Sequence, residues 1–244
     1  EVLDNALPVL LRQGAPAERR PLESWRLCAD SNTEIAARAP RQQQALQLLL
    51  DGPLSAAELR EQGIESAVMQ RLADKQLVEK IDLLALQEDW RDTLLEHEAD
   101  RHQLNTEQAL AVATITQAQG EFAAFLLDGI TGSGKTEVYL QLMAPILERG
   151  QQVLVLVPEI GLTPQTLKRF RRRFAAPILT LHSAMNDRER LDAWLACRNG
   201  DAAILIGTRS ALFTPFRSLG LILIDEEHDA SFKQQEGFRY HARD

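Results

Sequence analysis

The sequence predicts an α/β protein, a parallel-sheet lobe over residues 104–244 preceded by a small α+β domain. Short runs that are almost wholly apolar (122–127, 153–157, 178–181, 203–206 and 221–224) alternate with amphipathic helical stretches, the pattern of parallel strands covered on both faces. The stretch Gly129-Ile130-Thr131-Gly132-Ser133-Gly134-Lys135-Thr136 follows one such run and precedes Val138, Leu142 and Ile146 at helical spacing. It therefore reads as strand, glycine loop, helix. The last run ends in paired acids, Asp225 and Glu226.

Composition excludes several other classes. Of the 244 residues, 45% are apolar and 25% charged, ordinary globular usage rather than that of a disordered chain. The apolar runs are far too short to span a membrane, and no secretory segment opens the chain. Cys28 and Cys197 have no neighbouring Cys or His, so a reduced, cytosolic setting fits better than a disulfide framework or a zinc site. The net charge of -8 is uneven: residues 1–103 carry 19 acids against 12 bases, and residues 104–244 carry 16 against 15. An anionic partner of the second part must be held by local clusters. The chain starts at Glu1 rather than Met and is read as a fragment.

Taken in order, residues 1–22 hold Gly14, Pro16 and Pro21 and read as a linker or the remnant of a preceding domain. Residues 25–28 can form a short strand. From Pro40, Ala45, Leu46 and Leu49 share a helical face until Gly52-Pro53, and Ser55 with Glu58 forms a capping box for a short helix. A third helix from Ser66 carries Val68, Met69 and Leu72, and a strand follows at 77–81. Over residues 23–87 this is the order of a winged helix, a DNA reader or a structural module. The electrostatics favour the structural role, because Glu65 and Asp74 offset Arg71 and Lys75 on the would-be recognition helix. Residues 88–103 read as a charged linker.

In the second part Thr106 is expected to cap a helix bearing Ala109, Val112 and Ile115, with Gln108 on its first turn. Gln108 lies one helix upstream of the glycine loop, where an amide can read both donor and acceptor on adenine. After the loop helix, Thr163-Pro164 caps and starts a helix with Leu167, Phe170 and Phe174 inward. Its bases Lys168, Arg169, Arg171, Arg172 and Arg173 are then read as a solvated face rather than a DNA contact. Asn186 with Glu189 opens the next helix, with Leu191, Trp194 and Leu195 inward.

The chemistry concentrates at the loop and the paired acids. The glycines let Gly129, Thr131, Gly132, Ser133 and Gly134 curl several N–H groups toward one anion at a helix N-terminus. Lys135 can then reach the β- and γ-phosphates of ATP, and Thr136 and Asp225 can hold Mg²⁺. Glu226 is the base that orients the attacking water. Residues 231–241 hold three of the chain's 13 aromatics among bases, with no helical or strand period. That suits a mobile loop in which Phe232, Phe238 and Tyr240 stack on bases while Lys233 and Arg239 meet phosphates.

Asp225-Glu226-Glu227-His228 resembles the acidic box of DEAH-type superfamily 2 helicases. With the glycine loop, Val157-Pro158-Glu159-Ile160-Gly161-Leu162-Thr163-Pro164-Gln165, Gly207-Thr208-Arg209-Ser210-Ala211-Leu212-Phe213 and Lys233-Gln234-Gln235-Glu236-Gly237, the set is similar to the PriA family of primosomal replication-restart helicases. The resemblance implies a RecA-like P-loop motor lobe 1, incomplete here, from an ATP-dependent 3′ to 5′ DNA helicase of the bacterial cytoplasm and nucleoid. Single-stranded and forked DNA, single-stranded DNA-binding protein and other primosome proteins are the implied partners. Thr163, Arg209 and Ser210 would line the single-strand path, and His228 would pass the DNA signal to the site. The family's second lobe, its transition-state arginine and its zinc-binding cysteines fall outside this chain. Zinc is therefore expected only in the parent protein, and the chain alone is expected to bind nucleotide but hydrolyse it poorly. A different P-loop ATPase, or a nucleotide-binding scaffold without unwinding activity, is the alternative.

Overall fold

The computed structural model describes residues 6–28, 39–83, 90, 102–118, 120–130, 132–234 and 239–243. The first part contains α1 (Val9–Arg12), β1 (Glu23–Leu27), α2 (Pro40–Leu49), β2 (Leu54–Ser55), α3 (Ala56–Glu61), α4 (Ser66–Asp74) and β3 (Val78–Asp82). β1 pairs antiparallel with both β2 and β3. The face read from the sequence is the one that packs: Ala45, Leu46 and Leu49 meet Leu59, Met69, Leu72 and Trp25 in one core, while Val68 is only half-buried. Ser55 and Glu58 form the expected capping box.

The second part contains α5 (Thr106–Gln117), α6 (Lys135–Glu148), β4 (Gln152–Leu156), α7 (Pro164–Arg173), β5 (Ile178–Leu181), α8 (Asp187–Asn199), β6 (Ile204–Gly207) and β7 (Leu219–Ile224). The sheet order is β5-β6-β4-β7, parallel at every pairing. Alternation along the strands splits the core in two. Val153, Val155, Ile204 and Ile206 face α6 and α7, whereas Leu154, Leu156, Leu179, Leu181 and Leu205 face α8, as a period of two requires. Leu181, Gly207, Leu156 and Ile224 end the four strands in register. The segments that follow them therefore leave from one edge of the sheet.

Two expectations change, and a third lies mostly outside the described residues. The run 122–127 joins no strand: Phe122, Phe125 and Leu126 are exposed, and β7 is an edge strand with Leu219 and Ile222 exposed. An apolar run becomes a strand only where a neighbour offers its ladder, and no strand among the described residues pairs with this one. Asn105, not Thr106, caps α5, exchanging bonds with Gln108 in a capping box. The linker expected at 88–103 lies outside the described residues apart from Trp90, His102 and Gln103. Trp90 is buried, and its indole N–H donates to the Gly200 carbonyl at 3.0 Å.

The basic face of α7 is not simply solvated. Lys168 Nζ lies 2.6 Å from Asp51, and Arg171 pairs with Glu58 between the two parts of the chain. Glu58 thus uses one oxygen to cap α3 and the other to hold Arg171. Arg60 with Glu189, and the Arg20 backbone N–H with Asp192, extend the contact to α8. Arg173 is buried beside Glu137 at 3.5 Å. The sequence could not show the pairs with Asp51 and Glu58, because those partners lie more than a hundred positions away.

Candidate functional site

The glycine loop curls as its residues require. Gly132 and Gly134 take φ of +82° and +83°, and Gly134 is the N-cap of α6, conformations glycine adopts without a side-chain clash. A Cβ on Gly129 would lie 2.8 Å from Ser133 Oγ, so a larger residue there would have to displace that hydroxyl. Thr131 lies outside the described residues. Lys135 Nζ donates to the Gly129 carbonyl at 2.5 Å and reaches the Ile130 carbonyl at 3.4 Å. Its charge thus rests on neutral backbone acceptors of the loop.

Gln108 braces this loop from α5. Its Nε2 donates to the Ser133 carbonyl at 2.8 Å, and its Oε1 accepts the Asn105 N–H at 2.9 Å. Both ends of the amide are engaged, so reading adenine requires exchanging one of these bonds.

The acids meet the loop across one helix turn. Tyr139, four residues after Lys135 on α6, donates its phenol O–H to Asp225 Oδ1 at 3.4 Å. The Asp225 N–H is tied to the Leu156 carbonyl at 2.9 Å. Burial raises the Asp225 pKa above the usual carboxylate value, and the Glu226 charge adds to it. Lys135 is near enough to pull the other way. Burial, with Asp225 alongside, also raises the Tyr139 phenol. Glu226 sits at φ +49°, a left-handed conformation that costs a non-glycine residue about 1–3 kcal/mol and recurs at functional sites. His228 Nε2 lies 3.6 Å from Glu226 Oε2 at the exposed rim. No group of His, Cys, Asp and Glu among the described residues could by itself hold a metal ion. Thr136 and Asp225 would hold Mg²⁺ only together with phosphate oxygens, as suits an ion that keeps waters and few protein ligands.

A raised carboxyl pKa has a stability consequence. Above that pKa the folded chain carries the full cost of an ionised, partly desolvated Asp225, and below the unfolded value the carboxyl is protonated in both states and the cost disappears. In magnesium-free buffer, Asp225→Asn should raise the thermal midpoint at neutral pH. The gain should shrink as pH falls through the carboxylate range, which a melting series against pH would show.

The expected nucleic-acid residues divide. Thr163 caps α7, accepting the Thr166 N–H at 3.2 Å, and Ser210 is half-exposed on a short 3-10 turn. Arg209 Nη1 donates to the Ser231 and Lys233 carbonyls at 2.8 and 2.9 Å, and its guanidinium lies over the Tyr240 ring. Tyr240 in turn packs edge-on against Phe213. Lys233 and Arg239 are exposed, but Phe232 is fully buried in the core with Leu154 and Leu205. Its ring is not a base-stacking surface, because the core needs it. Lys233 and His241 bridge antiparallel, so the base of the aromatic segment is pinned. Phe238 lies outside the described residues.

Tyr139 and Arg169 were missed from the sequence. Tyr139 was available, since its i+4 spacing from Lys135 sets it on the same helix face. Arg169 Nη1 is 3.5 Å from Thr136 Oγ1, a contact between distant helices that no local pattern encodes.

The chain spans about a third of the length of the first relative it matches. It is 45% identical to the replication restart protein PriA of Haemophilus influenzae, over 100% of this chain and 34% of that protein. It is 37% identical to that of Bacillus subtilis over 86% of this chain and 27% of that protein. With the Synechocystis protein the identity is 53% over 58% of this chain and 17% of the relative. The family model described as DEAD/DEAH box helicase matches residues 105–244, more than half of the sequence, and takes in the loop, the paired acids and the parallel sheet. On that match the chain belongs to the DEAD/DEAH box helicase family.

Proposed function

We propose that the chain carries the ATP-binding motor lobe of a replication-restart DNA helicase. One observation carries the reading: the in-register strand ends and the face of α6 bearing Lys135 and Tyr139 bring the glycine loop and Asp225 to a single place. Lys135 exchanges its loop carbonyls for the β- and γ-phosphate oxygens of ATP. Thr136 and Asp225 hold Mg²⁺, which when bound neutralises charge between those phosphates. Glu226 takes the proton of the attacking water, and His228, against its carboxylate, orients it.

The segments that follow β4 and β6, with Thr163, Arg209 and Ser210, and the aromatic segment after β7 leave the same edge. A strand of DNA laid along them touches backbone donors and phosphate-binding cations without reading sequence. Translocation from 3′ to 5′, forked substrates, and contact with single-stranded DNA-binding protein and primosome proteins belong to the longer protein. So does the zinc site. Residues 23–87 are read as a winged helix that serves as a structural module. Among the described residues no helix is long and apolar enough to cross a membrane. The bacterial cytoplasm and nucleoid are the proposed place of action.

The experiment is the ATPase rate of the full-length protein against added single-stranded DNA. Phe238→Ala and Tyr240→Ala are each expected to weaken the stimulation about tenfold, as loss of one base stack would. Intact stimulation in both variants would remove the aromatic segment from the DNA path.

A further inference from the structure

Helix α7 presents two arginines, one turn apart, to the first turn of α6. Arg173 Nη2 lies 3.5 Å from Glu137 Oε1 with its side chain almost wholly buried, so its charge is spent inside the protein. Arg169 Nη1 lies 3.5 Å from the Thr136 hydroxyl and is exposed. The helix that carries it is held on several sides. Leu167 and Phe170 are buried, Thr163 caps its start, and the flanking cations Lys168 and Arg171 are paired with Asp51 and Glu58. Arg169 is thus a cation on a fixed support beside a neutral hydroxyl on the metal side of the phosphate loop. A guanidinium fork matches two oxygens of a phosphoryl group.

We propose that Arg169 binds the terminal phosphate of a nucleoside triphosphate. The proposal rests on the phosphate-loop reading and adds to it a residue that tells triphosphate from diphosphate. Lys135 grips phosphates that ATP and ADP share in part, whereas Arg169 stands on the Thr136 side, where only the triphosphate adds anionic oxygens. The small N-terminal part holds Lys168 and Arg171 in ion pairs with Asp51 and Glu58, while Arg169 reaches Thr136.

The test measures the affinity of residues 1–244 for fluorescent ATP and ADP analogues with Mg²⁺ at fixed salt. Wild type is compared with Arg169→Ala, Arg169→Lys and Lys135→Ala. Arg169→Ala should weaken ATP about tenfold, the value of one charge-assisted hydrogen-bonding group, and change ADP less than about twofold. Arg169→Lys should restore part of the ATP affinity. Equal losses for both nucleotides, or no loss, would overturn the proposal. Lys135→Ala separates the two levels: if it weakens binding while Arg169→Ala does nothing, only the Arg169 assignment falls. If Lys135→Ala itself leaves both affinities intact, the phosphate-loop reading falls, and the proposal with it.

Discussion

Lys135→Ala is expected to lower ATP affinity about 100-fold, the equivalent of about 3 kcal/mol for a lysine bound to two charged phosphates. The magnitude follows from what Lys135 now touches. Its ammonium rests on two loop carbonyls, neutral acceptors that anionic oxygens outbid. Folding should not suffer. A cation on the first turn of α6 opposes the helix dipole, and Glu137 is the acid of that turn that complements it. The alanine variant should therefore melt no lower than the wild type. Affinity by fluorescence titration and the melting midpoint, measured on the same samples, check the two halves separately. A loss of affinity that tracked a loss of structure would count against the site.

The second large effect is on turnover. Glu226→Gln should cut ATP hydrolysis by the full-length protein about 10²- to 10⁴-fold, the usual contribution of a positioned general base, while ATP affinity changes little. The amide keeps the size of the side chain but cannot take a proton from water. The backbone supports assigning this role to Glu226 and not to Asp225. Asp225 is tied to β4 through its N–H and to α6 through Tyr139, whereas Glu226 is turned to φ +49° at the end of β7 with His228 beside it. On the proposed reading Asp225 would hold the ion, and Glu226, partly exposed beside His228, would meet the attacking water. Single-turnover hydrolysis beside equilibrium binding would tell the roles apart. Equal losses of binding and turnover in Glu226→Gln would reverse the assignment.

What could be read in advance was whatever is local in sequence. The glycine loop declares itself because Gly132 and Gly134 need positive φ, the capping boxes at Ser55 and Asn186 because they span three residues, and the buried strands because Val153 to Val157 are apolar in succession. Asp225 and Glu226 were legible as the end of an apolar run. Long-range pairing was not. The run 122–127 has a strand's composition but pairs with no strand among the described residues. Phe232 has the composition of a stacking loop, yet the core takes its ring. The bases of α7 read as a solvated face, yet acids from the first part of the chain neutralise two of them. In each case the sequence shows what a residue can do, and the partner that decides it lies far along the chain.

A crystal structure of residues 1–244 with Mn²⁺ in place of Mg²⁺ and a non-hydrolysable ATP analogue, located by the anomalous signal of the ion, tests the central claim directly. The predicted result is one peak between Thr136 Oγ1 and the Asp225 carboxylate, with Lys135 Nζ on the phosphates and Glu226 facing the terminal one. A nucleotide bound elsewhere, or an ion held by either residue without the other, would contradict it.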